Sequence, residues 1–180
     1  MTTKLPLIAL ADRHPGVTKA IGDGYCEAAA VCFSRHHQPP ADLMLDCEGD
    51  SSKCSAEWVA PDQRTKSAWA NEIDATEAGA YGVSLAAIEL AKGLVAIGRA
   101  ETLTGADYYV APLGASADDL EDCVRLEVSG TDKGSPSVIQ QRLKAKIGQA
   151  AAGVSNLPAI ALVVGFRERV IVIAKLGNAS

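Results

Sequence analysis

Residues 160–164, Ile-Ala-Leu-Val-Val, form an apolar run with no alternation, so a strand built from them has no face to turn toward water. Such a strand belongs near the centre of a sheet covered on both sides, and the rest of the chain has to supply the cover. Residues 61–93 read as helix throughout, with Pro61 suited to a first turn and Gly93 to a stop. Gly79 and Gly82 within it either bend the helix or let a neighbour pack closely. Residues 94–101 and 107–112 read as strands around a turn at 102–105, an acidic segment follows at 116–123, and 124–130 alternates as a strand should. Residues 135–153 open on Ser-Pro and close at Gly153 as a helix, and 157–166 and 169–176 are the last two strands. The order from residue 61 is helix, strand, strand, strand, helix, strand, strand: an α/β fold with a mixed central sheet and flanking helices.

The first third is expected to be an elaboration of that core. Residues 15–37 read as a helix stopped by Pro39-Pro40, and 41–49 and 54–61 as two short strands around a polar loop at 49–53. Residues 1–60 then form a helix plus hairpin leaning on, or covering one face of, a core at 61–180. A chain of 180 residues with 48% apolar and 22% charged content can bury such a core as one domain. The opening MTTKLPLIALADRHPG has a short apolar stretch broken by Pro6, unlike a secretory signal, and no run approaches membrane-spanning length. Five cysteines in a chain of this size fit a reduced, cytoplasmic protein. Cys32, His36 or His37, Cys47 and Cys54 invite a zinc reading. They lack a tight CxxC pair and regular spacing, so scattered thiols are the reading adopted, with the two histidines as surface residues.

Three acids fall at places that ask for an explanation. Asp107 stands at the mouth of the 107–112 strand, Glu127 lies inside the 124–130 strand, and Glu77 shares a helix face with Ile73, Tyr81 and Ile88. That face is expected to look into the protein. Adjacent strands lie about 4.8 Å apart, so Asp107 and Glu127 can come within reach of one cation. Carboxylates gathered without a counter-charge repel, and an all-oxygen site of this kind suits Mg²⁺ or Mn²⁺. On the 135–153 helix, Ile139, Leu143, Ile147 and Ala150 mark the buried face. Lys146 falls close to it, Arg142 and Gln149 lie at its margin, and Lys144 points elsewhere. No GxxxxGK[ST] phosphate loop or GxSxG elbow is present.

Over residues 72–166 this order, with Gly-Ala-Asp at 105–107 and Glu-Val-Ser at 127–129, resembles the PD-(D/E)XK (restriction-endonuclease-like) nuclease superfamily. The resemblance implies a helix–strand–strand–strand–helix–strand core and Mg²⁺-dependent phosphodiester hydrolysis. It implies metal held by Asp107, Glu127 and the carbonyl of Val128, with Glu77 matching a helix-borne glutamate of some members. The motif lysine is replaced here by Ser129. Some members take that charge from the following helix, where Lys146, Arg142 and Gln149 are the candidates. The expected substrate is DNA, with RNA as the alternative, in restriction, repair or phage defence. A homodimer or a partner protein subunit is the expected assembly. A net charge of −5 does not advertise a nucleic-acid binder, although metal-site carboxylates are neutralised by their cations. The competing expectation is a catalytically silent nuclease-like fold serving as a nucleic-acid-binding or assembly subunit.

Overall fold

The computed structural model describes residues 2–101, 104–115, 120, 122–153 and 155–176. One eight-stranded mixed sheet runs through it. In chain order the strands are β1 (Thr3–Lys4), β2 (Ala41–Cys47), β3 (Asp50–Ala56), β4 (Leu94–Arg99), β5 (Tyr108–Pro112), β6 (Val124–Thr131), β7 (Ala159–Gly165) and β8 (Val170–Lys175). Their order across the sheet is β1-β3-β2-β8-β7-β6-β5-β4. The helices are α1 (Lys19–Ser34), α2 (Gln63–Ala68), α3 (Glu72–Lys92) and α4 (Pro136–Ala152), with a 3-10 turn at Leu10–Asp12. Strands from residues 1–60 and from 61–180 thus share one sheet, joined where β2 pairs in parallel with β8.

β7 is the buried strand that its apolar run requires. Ile160, Leu162 and Val164 enter the main core with α1 and α3, while Ala161 and Val163 pack with Ile139 and Leu143 of α4 on the other face. The layers are therefore α1 and α3, sheet, α4. β4, β5 and β6 form an antiparallel meander, and α4 carries the chain over to β7, which lies parallel to β6. Packing in the helical layer is close. A Cβ on Gly79 would stand 3.0 Å from the Ala29 backbone, and one on Gly82 3.0 Å from Tyr25 Cβ, so these glycines let α1 and α3 touch backbone to backbone. Gly130 of β6 is tighter still, with 2.7 Å to Ala80 Cβ and 2.9 Å to the Thr76 carbonyl of α3.

Several local expectations change. The 61–93 helix is two helices, because the Asn71 side chain accepts from the amides of Ile73 and Asp74 and starts α3 afresh. The first helix begins at Lys19, where Thr18 caps it, and ends at Ser34. The hairpin loop is not 49–53. Glu48 and Gly49 both take positive φ (58° and 93°), a two-residue turn that lets Ser51, Ser52 and Lys53 continue the ladder against β2. β3 accordingly ends at Ala56. His36 and His37 are partly buried rather than surface residues: His36 meets Asp132, and His37 meets the carbonyls of Phe166 and Arg167. They fasten the end of α1 to the ends of β6 and β7. The acidic segment 116–123 and the turn at 102–105 lie partly outside the described residues. Among the described residues, no helix is long and apolar enough to cross a membrane.

The β4 edge is sealed by a buried histidine. His14 accepts the Ala96 amide at Nδ1 (2.9 Å), so its proton sits on Nε2, which faces Glu89 at 3.1 Å. Gly16 donates to the Ala96 carbonyl at 2.9 Å. Burial outweighs Glu89 and holds the imidazole below its ordinary pKa of 6.5. As pH falls through 6.5 the unfolded chain takes up a proton that the folded chain refuses, so His14 contributes a loss of stability on acidification. Thermal melts between pH 7.5 and 5.5 should show a smaller fall for His14→Gln, whose amide oxygen can still accept from Ala96, than for the wild type. An unchanged slope would refute this role. Gly130→Ala should cost about 1–3 kcal/mol by overpacking α3 against β6. Gly148→Ala, in open space on α4, should add up to about 1 kcal/mol. Denaturant titrations read both.

Candidate active site

The registers of the sheet and of α4 assemble the site. In the antiparallel β5–β6 pair Tyr108 faces Leu126, so the next step outward sets Asp107 beside Glu127. The Asp107 backbone is still paired on both sides, to Leu126 and to Ala100. Along β6, Leu126 and Val128 turn to the main core, while Arg125, Glu127 and Ser129 turn toward α4. Two residues of strand advance about 6.6 Å and four residues of helix about 6 Å, so the two periods nearly match. The contacts follow that match in antiparallel order. Arg142 Nη1 donates to Ser129 Oγ at 3.3 Å, Lys146 Nζ donates to Glu127 Oε2 at 2.9 Å, and Arg125 Nη1 donates to the Ala150 carbonyl at 3.2 Å.

Lys146 also lies 3.9 Å from Asp107 Oδ2, so one ammonium is shared by acids from two strands. Glu127 is buried, and burial pushes its carboxyl above the ordinary 4.5 against the opposing pull of Lys146. Asp107 is held at both oxygens: Oδ1 accepts from the Tyr81 hydroxyl at 2.9 Å, and Oδ2 from the Val128 amide at 2.7 Å. Tyr81 in turn accepts from Arg99 Nη2 at 2.9 Å, and Arg99 lies over the Tyr81 and Tyr108 rings, 4.3 and 4.8 Å from their centroids. Burial raises the Tyr81 phenol further above its ordinary value, so it stays protonated and donates to Asp107.

Beside these groups opens a cleft of ≈ 540 Å³ between the first turns of α3 and the β6–α4 wall. Asp107, Ser129, Arg142 and Lys146 line it, as does Val128, whose N–H rather than a ligating carbonyl is what meets Asp107. Gln149 and Lys144 are exposed and lie outside the lining. Glu77 is not on an inward face. The ridge of α3 that meets β6 is Thr76 and Ala80, and the neighbouring ridge, Ile73 and Glu77, is exposed along the cleft mouth. Glu77 reaches Asp107 only through the Tyr81 hydroxyl, 3.4 Å away. Tyr81 carries a role that the sequence reading missed, although it lies one turn beyond Glu77 on the named face. Arg99 and Arg125 gave no signal, because only pairing and packing bring a strand-end or buried arginine to its partners.

Among the described residues, no three His, Cys, Asp or Glu side chains gather so as to hold a metal ion. Cys32, Cys47 and Cys54 do not group with His36 or His37, and Glu77 does not join Asp107 and Glu127. Two carboxylates do converge on one positive charge, and their all-oxygen donors fit a hard divalent cation taking the ammonium's position. No protein-family model, curated protein or solved structure matches this chain.

Lys146→Ala leaves Glu127 buried without its cation and should cost about 1–3 kcal/mol. Excess Mg²⁺ or Mn²⁺ should then raise the melting temperature more in Lys146→Ala than in wild type, since the ammonium no longer competes. Adding Asp107→Ala and Glu127→Ala to this background should abolish the shift. Calorimetry showing equal metal response in all three proteins would exclude the pair as a cation site.

Proposed function

We propose that the cleft hydrolyses phosphodiester bonds in DNA with Mg²⁺ or Mn²⁺, as a PD-(D/E)XK-type nuclease in restriction, repair or phage defence. The observation that carries this reading is the convergence of Asp107 and Glu127, from adjacent strands, on Lys146 from the helix after the third strand. Support also comes from the order α3-β4-β5-β6-α4-β7, with β6 and β7 parallel, which matches the core that the resemblance implies. Charge points the same way. The lining carries the acids Glu72, Glu77, Asp107 and Asp132 against the cations Lys133, Arg142 and Lys146. A phosphodiester meets net repulsion there unless positive charge is added.

Asp107 and Glu127 would hold the cation, with the Val128 carbonyl as the further ligand the resemblance implies. A divalent ion held there supplies a water of lowered pKa and offsets charge on the phosphate oxygens. Tyr81 and the Val128 amide fix the Asp107 carboxylate, and Ser129 steadies Arg142 for a phosphate oxygen. Lys146, released from the carboxylates, places its ammonium by the transferred phosphate, which is the work the motif lysine would do from position 129. Water oxygen bonds to phosphorus, the bond to one sugar oxygen breaks, and the products are a phosphate monoester and a sugar hydroxyl. RNA offers the same linkage and is the alternative substrate.

The Lys146–Glu127 ion pair and Ser129 in the lysine position favour a second reading, a silent nuclease-like fold acting as a nucleic-acid-binding or assembly subunit. Plasmid nicking and oligonucleotide cleavage in Mg²⁺ and Mn²⁺ decide between them. Wild type should cut at least one of these substrates. Asp107→Ala should abolish cutting, Lys146→Ala should slow it by about two orders of magnitude or more, and Lys144→Ala should leave it unchanged. A wild type that cuts neither DNA nor RNA would move the assignment to the silent subunit.

A further inference from the structure

The two walls of the cleft are chemically unlike, and their difference bears on what form of substrate can enter. The β6–α4 wall presents Arg142 and Lys146. The α3 wall presents Glu72, Ile73 and Glu77, and Ile73 is 76% exposed, an apolar side chain at a polar mouth with nothing packed over it. Across one end, Lys133 from the β6–α4 connection reaches Glu72 of α3 at 3.1 Å, which ties the walls together and offsets its own charge. The cationic side is therefore one wall deep.

A duplex carries phosphates along both of its backbones. Seated here, one backbone would meet Arg142 while the other met the carboxylates of Glu72 and Glu77. A single strand has one charged edge and one edge of bases and sugars, and the face of an unpaired base packs on aromatic or apolar side chains. We infer that the cleft takes a single nucleic-acid strand, its phosphate against Arg142 and Lys146 and its base against Ile73. This rests on the phosphodiester reading of the same cleft and adds the class of substrate to it. Lys133–Glu72 is an exposed pair, weak enough to part as the strand enters.

Fluorescence anisotropy tests the inference with one labelled oligonucleotide, offered alone and annealed to its complement, in Ca²⁺ so that binding is read apart from cutting. The single strand should bind at least about tenfold more tightly than the duplex, and Ile73→Ala should weaken only the single strand, by about fivefold, on the scale of a modest base contact. Glu72→Gln with Glu77→Gln should narrow the gap by strengthening duplex binding. The melting temperature of Ile73→Ala, exposed as the side chain is, should match wild type and so exclude a folding effect. Duplex binding equal to or tighter than the strand, or strand binding indifferent to Ile73→Ala, overturns the inference. Cleavage of both forms in Mg²⁺, abolished by Asp107→Ala, would overturn it while leaving the nuclease reading intact. Absence of binding and cutting for both forms would remove both.

Discussion

The match between the step of β6 and the step of α4 is the constraint on which the rest of the site depends. Because two strand residues and one helical turn advance by nearly the same distance, three successive β6 side chains of one face each meet a residue four apart on α4. Arg125 anchors one end, buried and satisfied by the carbonyls of Thr104, Ala150 and Leu157. Hydrophobic contact does the remaining work, with Ile139 and Leu143 set into Ala161, Val163 and Val172. A shift of one residue in the β6 register would turn Glu127 into the main core and Leu126 toward α4, so register and charge placement are a single decision.

The opposite layer fixes the other half. Gly130 brings β6 almost into contact with Thr76 and Ala80, and that closeness sets the height at which Tyr81 reaches Asp107. Arg99 then closes the circuit from the neighbouring edge strand. Asp107 thus receives a hydroxyl from α3, an amide from β6 and long-range charge from both Arg99 and Lys146, each from a different element. Contacts from four elements hold this carboxylate in one orientation, which is the condition an electrostatic site needs.

Sequence carried the α/β class well, because it rests on strong local signals: the unbroken apolar run of β7, and the Ser-Pro start and periodic apolar face of α4. It also carried the approach of Lys146 and Arg142 to β6, since both follow from helical periodicity. The same angular count misplaced Glu77 and Ile73. Periodicity says which residues share a face, but here the face that touches β6 was chosen by small residues, Thr76 and Ala80, which a search for large apolar side chains passes over. Reading 61–93 as one helix passed over Asn71, whose side chain caps α3. Arg125 and the partly buried His36 and His37 depend on partners 21 or more residues away, and Arg99 donates to Tyr81 on another element, 18 residues back; no local pattern announces such pairs.

Position 129 gathers these threads. A lysine there would rise from β6 on the α4 side, into space that Arg142 now fills while donating to Ser129. With a short residue at 129, the long cations of this wall are those at 142 and 146, both from α4. Moving the charge to α4 changes its chemistry as well as its address. Lys146 comes from α4 on the same wall and rests on Glu127, which keeps two close carboxylates from standing bare. In the proposed site the same ammonium is both the counter-ion of the resting state and the electrostatic partner of the phosphate. It passes from one role to the other only when other positive charge reaches Asp107 and Glu127.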